Sequence, residues 1–142
     1  MKRKICLLLG VLPCLTFAAE DMRQLVKMPL EARAEMRAEM LDFQTALNVI
    51  IADLGDGKFA DAANTAEGQI GLSAMGRHRN APMNARPGMH MPADMHGIAR
   101  GMHAAGSDFA KAARSGDLAK SLQALTAVTG ACVACHRSYR TQ

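Results

Sequence analysis

From Met36 onward the apolar positions recur at alternating steps of four and three: Met36, Met40, Phe43, Leu47, Ile50 and Leu54. That spacing lays a single apolar seam along one face of an α-helix. Pro29 suits the first turn, where a backbone N–H is not needed, and Gly55-Asp56-Gly57 ends the helix. A shorter helical piece is expected before it, around Asp21 to Lys27. A second helix reads from about Lys58 to Met75, with Phe59, Ala62, Ala66 and Ile70 inward. Its seam is mostly alanine, so another body can approach closely there. From Gly76 to Met91 the periodicity fails, and Pro82, Pro87, Gly88 and two asparagines mark a long connection. Pro92 opens a third helix with Met95, Ile98, Met102, Ala105 and Phe109 on one face, and Ser115-Gly116-Asp117 breaks it. The fourth helix carries Leu118, Leu122, Leu125, Thr129, Cys132, His136 and Tyr139 at helical steps. Four amphipathic helices with short breaks and one longer crossover predict an all-α fold, an antiparallel up-down-up-down four-helix bundle.

Composition agrees with helix: the chain is rich in Ala and Met, with one Tyr and no Trp. Its 142 residues suffice for one domain and one core. Lys2, Arg3 and Lys4, the apolar run from Ile5 to Leu12, and the small residues of Thr16-Phe17-Ala18 read as an export signal over residues 1–18. The run is too short to span a bilayer comfortably, and Pro13 before Cys14 argues against lipidation. The mature domain, residues 19–142, is therefore expected in the periplasm, with no stable membrane insertion after processing. Losing Lys2, Arg3 and Lys4 takes most of the formal charge of +4 away, so nothing calls for a nucleic-acid partner. Cys6 and Cys14 leave with the signal as well. The remaining pair, Cys132 and Cys135, makes no disulfide framework and needs another explanation.

Cys132-Val133-Ala134-Cys135-His136 is that explanation. Cys-x-x-Cys-His is the attachment motif of c-type haem. Thiols three residues apart share a helix face and can each add to a vinyl group on one side of a porphyrin, while the adjacent imidazole reaches the iron. A thioredoxin-like pair would sit in a βαβ setting, which the pattern lacks. A structural zinc site would need a second set of ligands at matching spacing. The expected cofactor is one covalent haem c, with His136 as proximal iron ligand. Only six residues follow His136, so a second axial ligand is expected from upstream helices. Counting along the antiparallel helices puts Met36, Met40 and Met95 level with the cysteines, and His78 at the same end.

With this motif near the end of a four-helix bundle, the chain resembles cytochrome c′ and its low-spin relatives, the class II c-type cytochromes. The likeness is densest from Ala105 to Arg140, around Gly116-Asp117-Leu118 and Gly130-Ala131-Cys132. In that family the first helix places a side chain on the distal iron face, apolar in high-spin members and Met in low-spin ones. The resemblance implies Met40 as distal ligand, with Met36 as the alternative one turn away; core packing is the competing role for both. It also implies Arg33 and Arg37 as contacts for the haem propionates.

Met83, Met89, His90, Met91, Met95, His96, Met102 and His103 form a stretch whose thioethers and imidazoles would suit Cu(I). No tight repeat of ligands appears, and core seam plus solvated loop is the favoured reading. The function expected is single-electron transfer with His/Met-ligated iron and redox proteins as partners, a homodimer being an alternative to the monomer. No nucleophile–base pair or carboxylate dyad points to an enzyme. Two alternatives stand beside it: a five-coordinate protein binding nitric oxide or carbon monoxide, and a copper-binding protein using the Met/His stretch.

Overall fold

The computed structural model describes residues 20–142. The expected signal over 1–18 lies outside the described residues. Helix α1 spans Leu30–Gly55, α2 Phe59–Gln69, α3 Ala93–Ala113 and α4 Leu118–Ser138. Two short strands, β1 at Gln24–Leu25 and β2 at Tyr139–Arg140, flank the helices. Three 3-10 turns follow α2: Leu72–Ala74 falls where the second helix is expected to continue, and Met83–Ala85 and Pro87–His90 lie in the connection expected from Gly76 to Met91. The architecture is the all-α four-helix bundle that the periodicity predicts.

Each helix has a local cause. Pro29 and Pro92 stand immediately before α1 and α3 with extended backbone (ψ 154° and 155°), where their fixed φ prepares the first turn. Asp117 caps α4, its carboxylate accepting from the Lys120 N–H at 3.0 Å. Gly57 and Gly116 take positive φ (73° and 71°) just past the ends of α1 and α3, where only glycine avoids strain. The α2 helix is shorter than expected. His103 Nδ1 donates to the Ile70 carbonyl at 2.6 Å, and the Ser107 hydroxyl accepts from the Leu72 N–H at 2.9 Å. These α3 side chains satisfy the backbone groups at the end of α2, so the chain turns away at Gly71 instead of continuing to Met75.

The core is built where α1, α2 and α3 meet, from Phe43, Ile50, Leu54, Ala62, Ala66, Ile70, Phe109 and Ala110, and α4 adds Leu125 and Val128. Helix α4 packs on α3, α3 on α2 and α2 on α1, while the backbones of α1 and α4 approach closely at few points. Those two helices are tied at one end by β1 and β2, which pair in parallel, with the Val26 N–H donating to the Arg140 carbonyl at 2.8 Å. The segment before α1 is thus extended, not helical as expected for Asp21 to Lys27. A partner strand supplies its hydrogen bonds, a tertiary effect that local sequence does not carry.

The seam of α4 also differs from expectation. Ser121, Leu125 and Val128 are the buried residues, with Ala124, Ala131, Cys132 and Cys135 half-buried. Leu118, Leu122, Thr129 and His136 stay exposed. Only 17 % of the most apolar stretch of α4 is buried, although this helix is long and apolar enough to cross a membrane. An apolar helix left so bare on the side not covered by α3 is open to a further apolar body.

Candidate functional site

Cys132 and Cys135 lie on successive turns of the last part of α4, both as free, half-buried thiols. The Cys132 thiol leans back on its own helix, donating to the Val128 carbonyl at 3.5 Å. Burial pushes both thiols above their usual pKa, and the neighbouring Cys132 raises Cys135 further. They are therefore protonated near neutral pH. His136 is exposed next to them.

The two cysteines touch different apolar bodies. Cys132 packs against the main core, whereas Cys135 packs against a second, smaller cluster. Buried Val26, Met36 and Met95 form the centre of that cluster, and Met28, Met40, Met91, Cys135 and Tyr139 pack around them. Met40 is in contact with both bodies. At about 100° per residue, Met40 and Leu47 sit on one edge of the buried face of α1, with Arg33 and Arg37 further round the same side. Glu35, Glu39 and Asp42 lie on the other side.

Contacts fix which side is which. Arg33 Nη1 donates to the Thr141 carbonyl at 3.3 Å, so the Arg33 side faces the end of α4. Arg37 is exposed. On the opposite side Arg77 Nη2 donates to Asp42 at 2.8 Å, and His78 is pinned between Glu35 (Nδ1 to Oε2, 3.3 Å) and Glu39 (Nε2 to Oε1, 3.5 Å). His78 is at the expected end of the bundle, but on the flank of α1 that carries the connection rather than on the flank that carries Arg33. The site thus gathers Cys132, Cys135, Met36, Met40, Met95 and Arg33 around the α1–α4 seam and leaves His78 outside it.

The Met/His stretch is split up. Met102 enters the main core, Met91 and Met95 join the second cluster, and Met83 and Met89 are exposed. His103 serves the end of α2, and His90 Nε2 meets the Asn84 carbonyl at 3.1 Å. Among the described residues no group of three or more His, Cys, Asp and Glu is placed to hold a metal ion. Two surface hollows of about 370 Å³ each lie away from the cysteines, one along Gly68–Asn80 and one between Asp42 and Gln69. Sequence reasoning missed Val26, Met28, Met91 and Tyr139 as part of the site. Val26, Met28 and Met91 come from segments outside the amphipathic seams, brought in by the β1–β2 pairing and the crossing of the connection, whereas Tyr139, expected on the fourth helix, lies just past its end in β2.

Residues 74–140 match the family model described as Cytochrome C'. The matched segment runs from the turn after α2 through the connection, α3 and α4 to β2, and includes Cys132, Cys135 and His136. No curated protein and no solved structure gives a significant match. Over residues 74–140 the family match bears out the resemblance to the class II c-type cytochromes, and the haem-attachment motif lies inside the matched segment. Covalent haem c is what that family implies, and the residues fit it. Two thiols share one helix face, an imidazole adjoins them, thioethers stand opposite, and the apolar flank of α4 is uncovered beside them.

Proposed function

We propose that this is an exported, periplasmic carrier of single electrons, holding one haem c between α1 and α4 with His136 and Met40 on the iron. Each thiol, Cys132 and Cys135, adds S–H across a vinyl group: a C–S bond forms, the hydrogen goes to the other vinyl carbon, and no oxidant is required. Arg33 and Arg37, on the α4-facing side of α1, are suited to propionate contacts. A haem so held supplies a one-electron ferric/ferrous couple, and a thioether ligand raises its potential. No catalytic role is assigned to the chain, and redox proteins are its partners.

The observation that carries the choice of Met40 is its position. Its side chain is half-buried at the edge of α1 and touches both the body that holds Cys132 and the body that holds Cys135. Met36 is 7 % exposed and packs with Val26 and Met95 in the second cluster, without contact to the body that holds Cys132. A sulfur ligand gives the oxidised spectrum a weak band toward the red. Met40→Ala is expected to abolish that band, turn the iron high-spin and open it to carbon monoxide. Met36→Ala is expected to keep the band and cost about 2–5 kcal/mol in stability through the cavity it leaves. Loss of the band in Met36→Ala alone moves the ligand by one turn. A wild type that already lacks the band and binds carbon monoxide replaces electron transfer by gas binding as the function.

A further inference from the structure

The second cluster has a composition unlike the rest of the molecule. The main core and the side chains packed on it, twenty-one residues together, include two methionines, Met102 and Met40, among mostly aliphatic, aromatic and alanine side chains. The cluster beside Cys135 holds eight residues, of which five are methionines: Met28, Met36, Met40, Met91 and Met95. They arrive from three separate places: Met28 ahead of α1, Met36 and Met40 on α1, and Met91 and Met95 at the start of α3. If filling space were the whole purpose, Leu or Ile would serve as well as in the main core and would hold their rotamers better.

Thioethers differ from leucine in one respect that matters here: they are soft donors, and soft donors select Cu(I). Cys135 and Met40 are committed to the haem if the function proposed above holds. Met28, Met36, Met91 and Met95 then remain as four thioethers in one contact cluster. Met36 and Met95 are 7 % and 5 % exposed, whereas Met28 and Met91 are half-buried and form its outer side. Access from solvent therefore runs past two donors to two buried ones. His103 is bonded to the Ile70 carbonyl and His90 to the Asn84 carbonyl, and among the described residues no group of three or more His, Cys, Asp and Glu is placed to hold a metal ion.

We propose that the methionine cluster is a Cu(I) site beside the haem, formed by Met91 and Met95 with Met28 and Met36. Binding is coordination without electron transfer when the iron is already ferrous, so the test uses the reduced holo-protein under anaerobic conditions. Native mass spectrometry of that protein with Cu(I) buffered by a competing chelator is expected to show one copper per chain. Met91→Leu/Met95→Leu conserves volume and apolarity and is expected to weaken copper binding more than tenfold. Met83→Leu/Met89→Leu, changing two exposed methionines of the same stretch, is expected to leave it unaltered. Absence of a copper adduct in the wild type overturns the proposal. So does an adduct that survives Met91→Leu/Met95→Leu, or one that is lost only in Met83→Leu/Met89→Leu. The red sulfur band is recorded in parallel. Its loss in Met40→Ala with copper retained supports both assignments, and its persistence there with copper retained refutes Met40 ligation alone.

Discussion

Changing Gly106 to alanine and Gly101 to alanine perturbs one helix, α3, at two points with opposite expected signs. Alanine at either position removes backbone freedom from the unfolded chain and favours the helix by about 0.5–1 kcal/mol. At Gly101 a Cβ would meet nothing within 4 Å, so that gain stands. At Gly106 the same atom would lie 3.0 Å from the Gly71 nitrogen, 3.0 Å from Ile70 Cγ2 and 3.1 Å from Gly71 Cα. Two of those three atoms are backbone and cannot swing aside. Relief has to come from separating α3 from the end of α2, which stretches the His103 bond to the Ile70 carbonyl (2.6 Å) and the Leu72 bond to Ser107 (2.9 Å). Overpacking of this kind costs about 1–3 kcal/mol, which exceeds the helix gain over most of its range. For a domain of this size 1 kcal/mol moves the thermal midpoint by about 3–5 °C. Thermal unfolding of the holo-protein, followed by far-ultraviolet circular dichroism, is expected to show Gly101→Ala above the wild type and Gly106→Ala below it. Equal stabilisation by both changes would refute the close approach of α2 and α3 at this point.

Three other outcomes follow from the same structure. The Asp21 carboxylate, hydrogen-bonded by Arg23 and close to Arg140, titrates at about 2 instead of the usual 3.8. A depressed carboxylate stabilises the fold fully above 3.8 and loses that effect as the pH falls toward 2, and an NMR titration of Arg23→Ala is expected to bring Asp21 back toward 3.8. In haem-free protein the burial-raised thiols of Cys132 and Cys135 are expected to alkylate slowly at neutral pH and to accelerate above the usual thiol value of 9.0; fast alkylation at pH 7 would contradict that burial. Cys132→Ser/Cys135→Ser, made without haem, is expected to unfold at a lower midpoint than the holo-protein, because a group bound only by the folded state adds to its stability. Equal midpoints would mean that the bare flank of α4 needs no cover.

The parts legible in the sequence are those fixed by local chemistry. Pro29 and Gly57 bracket α1, Pro92 opens α3, and the periodic Phe43, Ile50 and Leu54 end up buried. Counting turns along antiparallel helices puts Met36, Met40 and Met95 level with the cysteines, and they pack beside Cys135. The misses share a cause. Gln24 and Leu25 read as helix but are extended, because their hydrogen-bonding partners lie at the far end of the chain. The α2 helix stops at Gln69 because His103 and Ser107, on another helix, take over its last backbone groups. Leu118 and Leu122 fit an apolar seam yet are exposed, since periodicity says which residues share a face, not which face a neighbour covers. Likewise no spacing rule could gather Met28 and Met91, which come from connections.

The parallel pairing of β1 with β2 sets a condition on the order of folding. It joins Gln24 to Tyr139 and Leu25 to Arg140, enclosing roughly 115 residues. Closing a flexible loop of that length costs about 4 kcal/mol in chain entropy, growing only with the logarithm of the number of residues. Two residue pairs cannot meet such a cost unaided. It falls steeply once α1 to α4 have stacked and shortened the distance between the two segments. The clasp is thus a late event that certifies the bundle: it can shut only when all four helices are in place. Val26 and Met28 are brought toward Cys135 by that clasp, so the part of the methionine cluster supplied by the segment before α1 assembles last.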